Sequence, residues 1–109
     1  MKFSVLLDGV VIGHSNLDKS DLGMGVVFGA FSPTQEYQLV QPIFQLFADG
    51  KHKEYYKERD ALNLKLRTDT GDFVAVSCIH IADYSLEIGP DSMELEVHLA
   101  DTASQKWFS

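Results

Sequence analysis

The sequence predicts an α+β domain in which a twisted antiparallel sheet, or a partly closed small barrel, carries one kinked helix. Three observations lead there. Apolar and polar residues alternate at period two in several runs, and turn sequences of recognisable geometry separate them. One stretch, residues 32–50, switches to helical spacing and contains a proline. The order is β-β-β-α-β-β-β, read as a single domain over residues 1–109 with no repeat, linker or low-complexity tract.

The first two strands form a hairpin. Phe3, Val5 and Leu7 alternate, Asp8-Gly9 suits the positive φ angles of a type I′ turn, and Val10, Ile12 and His14 continue the same face. That register sets Leu7 against Val10, Val5 against Ile12 and Phe3 against His14. Residues 15–23 are polar and turn-rich and read as a surface loop. Met24, Val26 and Phe28 then alternate with Gly25, Val27 and Gly29, a third strand with one face kept small.

Ser32-Pro33-Thr34-Gln35 is a helix start, with Ser as the cap, Pro at the first helical position and Gln at the capping-box position. Tyr37, Val40, Phe44 and Phe47 follow at helical spacing, with Leu39, Ile43 and Leu46 widening the apolar face. Pro42 requires a kink or break near Val40-Gln41, and Gly50 is the stop. Residues 51–60 are strongly polar and read as a loop with at most a helical turn.

Strands return after residue 60. Leu62, Leu64 and Leu66 alternate with Asn63, Lys65 and Arg67, and Asp69-Thr70-Gly71-Asp72 is a hairpin turn with Gly71 left-handed. Residues 73–82 are apolar or small on both faces, which predicts one central strand. Residues 83–92 contain Gly89-Pro90 and make a connection. Met93, Leu95, Val97 and Leu99 then alternate with Glu94, Glu96 and His98.

Composition narrows the function classes. Hydrophobic residues make up 45% and charged residues 23% of the 109, ordinary globular values, and such a length buries enough surface for one core. The single cysteine, Cys78, excludes an internal disulfide and a four-cysteine zinc site. A net charge of -7 opposes nucleic-acid binding, which needs clustered cations. The opening Phe3-to-Leu7 apolar run ends at Asp8, too short for a signal-peptide core, and the uncharged residues 22–35 are too short to cross a bilayer. A cytoplasmic protein with a reduced thiol, no membrane contact and no cofactor is the expectation.

Several groups invite chemistry. Cys78 and His80 point to the same side of one strand, as a thiolate–imidazole pair or two metal ligands would. A tetrahedral site needs two further ligands, and no C-x-x-C or H-x-x-x-H supplies them. The apolar neighbours Val76 and Ile79 argue instead for an inert thiol. Glu94, Glu96 and His98 share a strand face but are too collinear to converge on one ion, so ion pairs with Lys65 and Arg67 are the plainer expectation. The run Gly23-Met24-Gly25-Val26-Val27-Phe28-Gly29 reads as a bent strand rather than a phosphate loop. No G-x-S-x-G or H-E-x-x-H occurs, and nothing selects two carboxylates as acid and base.

The charge layout is the least ordinary feature. Residues 1–50 hold five acids and two bases (net -3), residues 51–67 six bases and three acids (net +3), and residues 68–109 eight acids and Lys106 alone (net -7). The leading expectation is therefore a non-enzymatic interaction module. Its acidic surface docks a basic protein, as small inhibitors and immunity proteins against nuclease toxins do; the analogy is one of size and charge, not of motif. Asp83, Glu87, Asp91, Glu94 and Glu96 are the candidate docking acids, with Tyr55 or Trp107 as aromatic anchors. Two other classes stay open. One is a ligand-binding or catalytic barrel with a pocket near His14, Cys78 and His80; the other is a structural subunit that self-associates.

Overall fold

The computed structural model describes residues 1–108. Strands β1 (Phe3–Leu7) and β2 (Val10–Ser15) form the expected hairpin, and Asp8 (φ 50°) and Gly9 (φ 84°) both adopt the left-handed conformation of a type I′ turn. Leu7 pairs with Val10 as expected, but a β-bulge then shifts the register. Val5 pairs with Gly13, Ser4 with His14 and Phe3 with Ser15, so the expected Val5–Ile12 and Phe3–His14 pairs do not form. Ile12, the residue the pairing skips, still enters the core beside Phe3 and Val5. The bulge brings Gly13 beneath the Phe31 ring, where a Cβ would collide with ring carbons.

β1 is the centre of a five-stranded antiparallel sheet. On its second side lies β6 (Leu64–Thr68), with Val5 opposite Leu66; the short strands β5 (Ser32–Pro33) and β7 (Phe73–Val74) complete the order β5-β2-β1-β6-β7. Gly71 closes the β6–β7 turn at φ 92°, as its sequence requires.

A second sheet has the order β3-β4-β9-β8, from β3 (Lys19–Asp21), β4 (Val26–Ala30), β8 (Val76–Asp83) and β9 (Met93–Leu99). Two sequence expectations are corrected here. Residues 15–23 are not all loop, because Lys19, Ser20 and Asp21 pair with β4; three exposed polar residues carry no alternation to detect. Residues 73–82 are not one central strand. The chain passes from the first sheet to the second at Ala75, whose carbonyl accepts from Ala100 N at 3.1 Å, and β8 forms an edge. Its second face is nonetheless sheltered by the helices, which is why it reads as apolar on both sides. In β4 the small face turns inward, with Val27 and Gly29 buried.

The helical segment breaks where Pro42 demands. A 3-10 turn (Gln35–Leu39) precedes α1 (Gln41–Ala48), with Pro42 in the first helical turn. Ser32 does not cap it. Ser32-Pro33 is recruited as β5, and Thr34 Oγ1 donates to the Val11 carbonyl at 2.8 Å instead. α1 stops in a Schellman turn: Gly50 has φ 78°, its N–H reaches Phe47 O (3.1 Å), and Lys51 N reaches Leu46 O (2.9 Å). Residues 51–60, expected as a loop, form α2 (His52–Asp60). Its one buried side chain, Tyr55, enters an aromatic cluster 5.9 Å from Phe44 and 5.4 Å from Phe47. Glu54 in its first turn and Lys57 and Arg59 in its last complement the helix dipole. A helix with one buried residue has no apolar periodicity, so its pattern is silent.

The core lies between the sheets. Phe3, Val5, Ile12, Leu66 and Val74 of the first meet Val27, Ile79, Ile81, Leu95 and Val97 of the second, while Tyr37, Phe44 and Tyr55 enter from the helical segment. Residues that alternate with these therefore point away from the core on opposite sides of the molecule. At the C-terminal end Phe108 stacks on Phe3 at 4.9 Å, and Trp107 packs partly buried against the core.

Candidate functional site

β8 ends at Asp83, and the next nine residues fold into an ordered loop rather than a plain connection. Asp83 is only 1% exposed. One carboxylate oxygen accepts from Tyr37 OH (2.7 Å) and Gln41 Nε2 (3.2 Å), the other from Ser85 N (2.9 Å) and Ser85 Oγ (2.5 Å). Burial opposes its ionisation, but the hydrogen bonds from Ser85, Tyr37 and Gln41 prevail and hold the carboxyl below its ordinary range. The same bond, together with burial, raises the Tyr37 phenol far above its ordinary value, so it remains a donor. Tyr84 N to Ser92 O (3.0 Å) closes the neck of the loop, and Ile88 N to Tyr84 O (2.9 Å) builds a turn within it.

This loop carries the most exposed apolar pair among the described acidic segments: Leu86 is 74% and Ile88 75% exposed. Glu87 and Asp91 are exposed beside them. Tyr84, Asp91 and Glu94 line one shallow depression of about 340 Å³ at its foot. The fold thus brings Asp91 and Glu94 together beside Tyr84, while Glu87 is exposed between Leu86 and Ile88 in the same loop.

The other proposed docking residues fall elsewhere. Asp83 is sequestered as the loop's internal anchor, and Tyr55 is fully buried, so neither presents a surface to a partner. Trp107 is half-buried against the core with Lys106 Nζ 4.9 Å from its ring, covering a core edge. Glu96 is not paired with Lys65 or Arg67, because β9 lies between β4 and β8 in the other sheet. Its carboxylate instead lies 3.0 Å from His98 Nε2.

Cys78 and His80 do share a face, and pairing of β8 with β9 sets Cys78 opposite His98 and His80 opposite Glu96. These four side chains line an open groove of about 440 Å³ with Phe47, Tyr56 and Arg59. Its chemistry is quiet. Burial raises the Cys78 thiol pKa, the Asp60 and Glu96 charges add to this, and Arg59 only partly offsets it. Burial lowers the His80 pKa, and Arg59 and His98 lower it further against the pull of Glu96. The neutral His80 Nδ1 accepts from Tyr55 OH at 2.5 Å, so that nitrogen is occupied by the helix rather than by the thiol. Burial pushes the Tyr55 phenol up to about 12, which keeps it protonated as that donor. No group of three or more His, Cys, Asp or Glu among the described residues is placed to hold a metal ion.

His14 lies in the other sheet, on the face away from the core. Its Nδ1 is 3.0 Å from Ser4 Oγ, and burial with the nearby charges of Lys2 and Arg67 lowers its pKa. It does not join Cys78 and His80 in one pocket, since β2 and β8 belong to different sheets.

Sequence reasoning missed Tyr37, Gln41 and Ser85 as holders of the loop, and Leu86 and Ile88 as its exposed tip. A signal existed for the tip: two large aliphatics between Asp83 and Gly89-Pro90 lie in a segment too turn-rich to be a strand. Nothing local announced the partners of Asp83, which sit 46 and 42 residues earlier. Among the described residues no helix is long and apolar enough to cross a membrane. Compared with known proteins, the chain matches no family model, no curated protein and no solved structure.

Proposed function

We propose that the chain is a cytoplasmic protein-interaction module whose residues 84–94 dock a basic protein partner, in the manner of a small inhibitor or immunity-type protein. One observation carries this reading: Leu86 and Ile88 stand exposed with Glu87 and Asp91 on a loop that Asp83 fastens to the body, and Glu94 follows at the start of β9. Apolar contacts at the tip supply affinity, and the acids steer a cationic surface toward it. Because the neck is already hydrogen-bonded, docking orders little new chain and loses less entropy than a free loop would.

The test is capture at low salt from the native host, followed by two-component binding of the purified partner to wild type, L86S/I88S and E87K/E94K. The expected partner is basic, and each variant binds it at least about tenfold more weakly, since losing an apolar or charged hot spot typically removes that much. Raised salt slows association with the wild type. A partner that binds both variants as tightly as the wild type overturns the reading.

A further inference from the structure

The outer face of the five-stranded sheet gathers three cations, Lys2, Lys65 and Arg67, although the chain as a whole carries -7. Ser4 stands at its middle, paired with His14 on one side and Arg67 on the other. Since Phe3, Val5, Leu66 and Val74 turn into the core, the residues alternating with them turn out. Lys65 is exposed there, with its Nζ 5.6 Å from the ring of Phe73, itself 58% exposed. Lys2 is exposed next to β1. These cations come from opposite parts of the chain and meet because β1 pairs with β6.

Among the described residues no carboxylate lies within ion-pair distance of them. Among the described residues the ion pairs are Arg59 with Asp60 and His98 with Glu96, and neither involves Lys2, Lys65 or Arg67. Among the described residues no ion pair joins the acids of residues 84–94 to these cations. A second molecule can supply that pairing. We propose that the Lys2, Lys65, Arg67 and Phe73 face takes the residue 84–94 surface of a second copy, so that the protein assembles head to tail.

Charge complementarity and the apolar centre on each side select this occupant: Phe73 meets Leu86 and Ile88, ringed by cations on one side and acids on the other. A symmetric pairing of like faces would oppose like charges. The contact is therefore between two different patches, which lets a third copy add to the second. A polyanion is disfavoured on this face by the net charge of the whole. The inference rests on the acidic loop being a docking surface, and names a second copy as one partner it accepts.

Sedimentation velocity tests it, on protein from about 10 μM to about 1 mM, the range in which small polar interfaces associate. In about 0.02 M salt the mass starts at 12.2 kDa and rises past two copies; in about 0.5 M salt, where the charges are screened, it stays at one copy. K65A/R67A and E87Q/E94Q, which remove charge without reversing it, each remain single, yet an equimolar mixture forms pairs that stop at two copies. Each variant keeps the one face the other lacks, so this pairing distinguishes head-to-tail from like-face association. Far-UV circular dichroism verifies each fold, and K65Q/R67Q carries the same expectation should the alanines disturb β6. A wild type that stays at one copy in low salt overturns the assembly while leaving the two-component test of the loop standing. Association untouched by either variant, or a mixture that stays single while the wild type assembles, overturns it too.

Discussion

Replacing Asp83 by Asn changes one atom type in the network that ties the 3-10 turn, α1 and the loop to β8. The carboxylate accepts four hydrogen bonds, two on each oxygen. An amide keeps one oxygen. If that oxygen stays with Ser85, the new NH2 faces Tyr37 OH and Gln41 Nε2; if it flips, the NH2 faces the Ser85 N–H. Either way an N–H donor, Gln41 Nε2 or the Ser85 amide, is left facing the NH2 in a buried site, and the hydroxyl beside it must turn from donating to accepting. Hydrogen bonds to a charged group contribute about 1.5–3 kcal/mol each, and removing a buried charge recovers part of that. The expected loss is about 3 kcal/mol at pH 7, which lowers Tm by roughly 10 °C in a domain of this size. Urea titration followed by Trp107 fluorescence and far-UV circular dichroism measures it. The pH dependence supplies a second reading. The folded carboxyl titrates below its ordinary range, so the unfolded chain takes up the proton first as pH falls below about 5. Wild-type stability from this group is present above about pH 4 and is lost as pH falls through the folded value, whereas D83N lacks that slope. A D83N protein within about 0.5 kcal/mol of wild type at pH 7, or one with the same acid slope, refutes the role given to this network.

Gly13→Ala forces a methyl into the Phe31 ring and is expected to cost about 2 kcal/mol or more in the same urea assay; a neutral result denies the close approach at the bulge. Tyr55→Phe removes the donor to neutral His80, so it should destabilise by about 1 kcal/mol at pH 7.5 and raise the His80 pKa toward its ordinary value, read by NMR titration. The sign at His80 follows: with a lowered folded pKa, wild-type stability is present above about pH 6.5 and declines as pH falls through the folded value, and Y55F declines less. An unmoved His80 titration contradicts the bond. The raised Cys78 pKa predicts slow labelling by a disulfide reagent at pH 7.5, at least about tenfold slower in the folded than in the urea-unfolded protein. Faster labelling of the folded form would reopen catalysis at that groove.

Much of this molecule is written in short-range pattern. Phe3 to Leu7, Asp8-Gly9 and Met93 to Leu99 state their conformation because one face is buried at period two and the turn chemistry is local. Pro42 dictates the break before α1, and Gly50 its end, by the same local sterics. The uneven charge along the chain is likewise a property of sequence alone. Tertiary structure decided the rest because pairing is a long-range choice. The bulge at Ile12 depends on what Gly13 must pass beneath, and the division of residues 73–82 depends on which neighbour each half finds. α2 exists because one tyrosine finds an aromatic pocket, a gain no periodicity records. The candidate site divides along the same line. Glu87, Asp91 and Glu94 were legible as acids, but whether a carboxylate faces solvent or anchors a loop, as Asp83 does, follows from burial against residues far away in sequence. Charge is carried by the residue type; its availability to a partner is set by the packing around it.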